Sequence, residues 1–130
     1  MTRFRWLVLI SAFCFGLALP SLAAAESNTV LQVTTVQVKA GQMDAYLAKV
    51  KQLQAIIKRL GTSGTTRVWE ATLAGDGTGT VAVGVEYPSL AAYAESTTKV
   101  SADSEWKAMM AGLDDMRTVV SRSLYKERTP

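Results

Sequence analysis

The 130-residue sequence has no histidine and one cysteine, Cys14. Zinc and copper sites thereby lose their commonest ligands. No cluster of lysine or arginine stands out that could neutralise a run of phosphates, which argues against nucleic acid as a partner. Internal repeats and low-complexity segments are also lacking, so there is no sign of a second domain.

What is present begins at the N-terminus. Arg3 and Arg5 precede an apolar run from Trp6 to Leu19, broken by Ser11 and Gly16. Pro20 ends the run, and Ala23, Ala24 and Ala25 follow. This order of charge, apolar stretch and small-residue exit is that of a secretory signal peptide with an A-x-A cleavage site. Residues 1–25 are read as the leader and residues 26–130 as a single domain, periplasmic or secreted, starting at Glu26. A retained anchor needs about 20 apolar residues, and this run is shorter. A lipoprotein signal wants a small residue before Cys14, where Phe13 stands.

Cleavage changes the available chemistry. It removes the cysteine and two of the 14 basic residues, leaving 12 against 11 acidic ones, net +1. An exported domain of this size without disulfides rests on packing, helped by any oligomerisation.

Beyond the leader the periodicity alternates between strand and helix. Residues 28–39 are β-branched-rich, with Val30, Leu31, Val33, Val36 and Val38 in both alternation phases, as in a central strand. Met43, Leu47, Val50, Ile57 and Leu60 recur at helical spacing, and Gly61 and Gly64 stop that helix. Residues 65–73 and 80–87 read as two strands joined by the Gly-rich turn 74–79. Pro88 opens a short helix running to about Val100. Ser101 or Asp103 can cap another, whose inner face is Trp106, Met109, Met110 and Leu113. Residues 116–126 form the last strand. The expected fold is α+β: a ferredoxin-like βαββαβ sandwich, a four-stranded antiparallel sheet with helices on one face, plus a short extra helix before the last strand. Ala82 and Gly84 make one phase of the third strand small and uncharged. The helix-free face therefore calls for a partner, and a second copy of the sheet is the simplest one.

Several strings resemble the dimeric α/β-barrel superfamily. Residues 36–42 (VQVKAGQ) resemble its strand-to-helix step VxVKPGK, with Ala40 in place of proline. Residues 86–93 (EYPSLAAY) resemble its third-strand exit, and residues 101–106 (SADSEW) its DPEW helix start. The likeness spans residues 28–126 and is greatest to NIPSNAP-like and uncharacterised exported members. It implies a homodimer. The superfamily holds cofactor-free monooxygenases, haem enzymes, isomerases and proteins without known activity, so fold does not carry function. Haem-binding members use a histidine that this chain lacks. The monooxygenase branch works with asparagine, tryptophan and a nearby aromatic, but the one asparagine here, Asn28, starts the first strand.

The expected role is that of an exported homodimeric small-molecule-binding or structural domain, with no cofactor and no metal. The alternative is a cofactor-independent monooxygenase-type oxidoreductase. A small, mostly apolar ligand between sheet and helices would be lined by Trp69, Glu86, Tyr87, Tyr93 and Trp106. Glu86 could have a raised pKa beside small residues, or pair with Arg67 or Arg117 across the sheet. Packing explains the tryptophans and Met109–Met110 equally well. Asp103, Glu105, Asp114 and Asp115 lack calcium-loop spacing and read as capping and solvated residues.

Overall fold

A computed structural model describes residues 28–130. The leader, Cys14 and Glu26 lie outside the described residues. Along the chain come β1 (Val30–Val38), α1 (Met43–Arg59), β2 (Thr65–Glu70), β3 (Thr80–Tyr87), α2 (Leu90–Ala102), α3 (Ser104–Asp114) and β4 (Arg117–Lys126). The strands form one antiparallel sheet in the order β2-β3-β1-β4, which is the ferredoxin-like arrangement expected. As its two apolar phases demand, β1 is central, paired with β3 on one side and β4 on the other.

The step from β1 into α1 is a tight turn. Gln42 N–H bonds the Lys39 carbonyl, and Gly41 takes φ +75°. Such a turn needs glycine at its third position and favours proline at its second, the place held by Ala40. Helix α1 ends on Gly61 at φ +66°. There Thr62 N–H bonds Ile57 O and Gly61 N–H bonds Lys58 O, satisfying carbonyls the helix leaves free. Strand β2 stops at Glu70, short of the expected Leu73. Residues 71–79 instead fold into a link with a single 3₁₀ turn, Gly75–Gly77, and Leu73 is solvent-exposed.

Helices and sheet meet in a core that includes Val36, Val81, Tyr46 and Leu113, each fully buried. Trp106, Met109 and Met110 pack against it. Helices α2 and α3 are joined at Asp103, which ends the one and begins the other. Its carboxylate accepts from the Trp106 backbone N–H at 2.9 Å and from Arg59 of α1 at 2.9 Å. Arg59 also reaches Glu105 at 3.2 Å. The Trp106 N–H, then the Arg59 hydrogen bond, hold the Asp103 carboxyl below its ordinary range.

A depressed carboxyl pKa gives stability that is present above the ordinary carboxylate value and lost as pH falls through the folded value. Asp103→Ala should therefore lower the melting temperature near neutrality. The deficit should shrink in strong acid, and Asp103→Asn, which retains a cap, should lose less. Thermal melts across pH check this; a deficit unchanged into strong acid would remove the charge from the explanation.

Candidate functional site

The sheet has two unlike faces. Register places Val30, Gln32, Thr34, Val36 and Val38 of β1 towards the helices, with Val81, Val83, Val85 and Tyr87 beside them on β3. The open face carries Leu31 and Val33 of β1, Ala82, Gly84 and Glu86 of β3, and Arg67 and Trp69 of β2.

Between the helices and the sheet lies a partly open cavity of about 230 Å³. Tyr87, Val83 and Val85 form its sheet wall, and Val50 and Leu53 of α1 and Trp106, Met110 and Leu113 of α3 its helix wall. Gln32, Thr34, Gln54 and Ser96 add hydrogen-bonding groups, and Arg117 and Arg122 enter from β4. Among the described residues, none lining this space is a carboxylate or an amine. Its walls thus offer apolar contact, a few hydroxyl and amide groups, and positive charge.

Arg117 is 7% exposed, and beside it the Tyr46 side chain is fully buried. Its Nη1 donates to Tyr46 Oη at 3.3 Å, and the guanidinium sits over the Tyr46 ring, 5.8 Å from its centroid. Nη2 is 3.8 Å from Asp114 Oδ1, an ion-pair distance too long for a hydrogen bond. Nε and Nη2 are buried without a hydrogen-bond partner.

Arg122 reaches the same side of the sheet by a backbone irregularity. Arg117 pairs with Val38 and Val119 with Val36, but Ser121 pairs with Thr35 and Arg122 with Thr34. Val120 is the extra residue of a β-bulge. Residues five apart point to opposite faces of a regular strand; the bulge resets the alternation, so both arginines face the helices.

The five residues expected to line a ligand site fall in three places. Tyr87 and Trp106 line the cavity. Tyr93 packs edge-on against Tyr87, with ring centroids 5.4 Å apart. Burial, with Tyr93 adding to it, raises the Tyr87 phenol above its ordinary pKa and keeps it neutral. Trp69 and Glu86 sit on the opposite, open face, because their strand phases point away from the helices. Glu86 therefore cannot meet Arg117, which bonds Tyr46 instead. Alternation on β4 gave no reason to place Arg122 in the site, and Tyr46 reads in the sequence as one more helix-stripe residue. Asn28 lines a second hollow, of about 440 Å³, at the sheet end near Leu90 and Leu124. Its lining residues are mostly exposed, which makes it a surface depression.

No protein-family model matches the sequence, and no curated protein matches it. Solved structures do match, through the arrangement of strands and helices. The chain has the fold of NIPSNAP proteins. One such protein of Agrobacterium tumefaciens matches at 18% identity and TM-score 0.61, over 79% of this chain and 87% of its own. Another from the same organism, of unknown function, matches at 18% identity and TM-score 0.63, over 78% and 90%. SnoaB, a cofactor-independent oxygenase of Streptomyces nogalater, matches at 14% identity and TM-score 0.57, over 79% and 96%. Identities this low establish the NIPSNAP-like fold and leave the activity open.

The Tyr46–Arg117 pair has a direct test. Tyr46→Phe deletes the acceptor and leaves Nη1 buried and unsatisfied, which should destabilise the fold by about 1–3 kcal/mol. Denaturant unfolding measures this; an unchanged midpoint would mean the hydrogen bond contributes nothing net.

Proposed function

We propose that this chain is an exported, homodimeric domain that binds one small, mostly apolar molecule between its sheet and its helices. The observation carrying the reading is the cavity beside Trp106 and Tyr87. Concave, largely apolar walls with a few placed polar groups are the usual make-up of a small-molecule site. A cavity of about 150 Å³ accepts benzene. The 230 Å³ here has room for one ring and a short substituent.

A cofactor-independent oxidoreductase of the monooxygenase type is the second reading, favoured by the likeness to SnoaB. Catalysis without a cofactor calls for a positioned base. The ionisable groups among the described lining residues are Tyr46, Tyr87, Arg117 and Arg122. None of the described lining residues is a carboxylate, a histidine or an amine, so binding is the better supported reading.

The homodimer reading draws on the open face. Leu31, Val33, Ala82 and Tyr125 form an apolar strip there, with Trp69 beside them. Trp69 and Tyr125 are about half exposed. Trp69 already covers part of the face: a β-carbon at Gly84 would lie 2.6 Å from its ring and 3.4 Å from Leu31 Cδ1. A second sheet would bury the remainder.

Two experiments test these readings. In a Trp69→Phe background, a panel of benzyl alcohol, phenol and benzoate should change the emission of Trp106. Ser96→Leu, which fills the wall, should abolish the change, and silence across the whole panel would overturn the binding reading. Protein recovered from the periplasm should begin at Glu26 and scatter light as twice the monomer mass, with Ala82→Arg shifting it to monomer. A wild-type monomer at micromolar concentration would refute the dimer, and an intact leader would refute export with cleavage.

A further inference from the structure

We infer that the molecule held in this cavity is a monocarboxylate with a compact apolar body, its carboxylate received by Arg122. The inference rests on the binding reading above and adds the charge and size of the ligand.

The cavity lining holds two cations, Arg117 and Arg122, and no anion among the described residues. The two are not equivalent. Arg117 is partly answered within the protein, by Tyr46 and, at 3.8 Å, by Asp114. Among the described residues, nothing hydrogen-bonds or ion-pairs with the Arg122 guanidinium. Arg122 is exposed, so its fork of N–H donors is free to meet a carboxylate with two parallel hydrogen bonds. Arg117, whose Nε and Nη2 lack hydrogen-bond partners, adds to the positive potential of the cavity it also lines.

The bulge at Val120 is an independent pointer. Bulges occur next to functional sites, where they re-aim a side chain. Here the bulge falls between the two arginines and brings both to the helix side of β4.

The register also bears on the number of charges. Arg117 pairs with Val38 and Arg122 with Thr34, four residues apart on β1. At about 3.3 Å per residue the two backbones are roughly 13 Å apart, and Arg117 is buried against Tyr46 while Arg122 is exposed, so Arg122 is the one left to meet a headgroup. A single charge at Arg122 suits that spacing better than a phosphate dianion. Gln32 and Thr34 line the cavity beside Arg122, and the apolar body would extend from there towards Trp106 and Leu113.

The test compares benzoate with benzyl alcohol, which has the same ring and a neutral head, and with inorganic phosphate. Calorimetric titration of the purified protein should give benzoate at least about tenfold tighter binding than benzyl alcohol, as expected of a charge-assisted bidentate contact, and little phosphate binding. Arg122→Gln should erase that preference, weakening benzoate by at least about tenfold. Lys51→Gln, which removes an equal charge from an exposed position on α1, should retain it. Arg122 is exposed, so its replacement leaves the core intact. Equal affinity for the two ring compounds would overturn the inference and leave the binding reading standing, as would a preference that survives Arg122→Gln. Binding of neither compound would overturn both. Phosphate binding tighter than benzoate would overturn the monocarboxylate assignment.

Discussion

A buried guanidinium is expensive unless the protein answers it, and Arg117 is buried between the helices and β4. Its answer draws together several elements. Tyr46 of α1 accepts a hydrogen bond and lends its ring face; Asp114 at the end of α3 supplies a distant opposite charge. The backbone beside it joins β4 to β1, where Lys39 N–H bonds the Met116 carbonyl at 2.9 Å. One side chain thus relates two of the helices, α1 and α3, to β4. Two of its nitrogens have no hydrogen-bond partner. The same residue is therefore a clasp for the fold and a source of positive potential at the cavity.

The sheet divides the work. Towards the helices, fully buried Val36 and Val81 build the core at one end, and spacing between sheet and helices leaves the cavity further along. Away from the helices, small residues on β3 let Trp69 lie flat against the sheet, and an apolar strip stays uncovered. The Asp103 cap and its pairing with Arg59 tie α1 to the α2–α3 junction.

Much of the fold was legible in local chemistry. The double apolar phase of residues 30–38 marked a central strand, Gly61 marked the helix end, and Asp103 marked a cap. Each signal depends on near neighbours in sequence, so it survives without tertiary context. The site was less legible. Tyr87 and Trp106 could be named as lining residues, since aromatics near helix–strand junctions tend to face the core. Trp69 and Glu86 were grouped with them although their alternation phase belongs to the other face. Tyr46 looked like one more stripe residue, and its hydroxyl acquires a role only when a strand seventy residues away brings a cation beneath it.

By itself, the sequence determined the order and type of the elements, because periods of two and 3.6 residues and the turn chemistry of glycine are local properties. It also determined that no imidazole is available as ligand or base, since no folding creates a histidine. Tertiary structure alone decided which side chains share a space. The bulge at Val120 arises from how β4 pairs with β1, and no period within residues 117–126 announces it. That one pairing irregularity places Arg117 and Arg122 on the same side of the sheet. It adds a second positive charge to a cavity that Arg117 already lines.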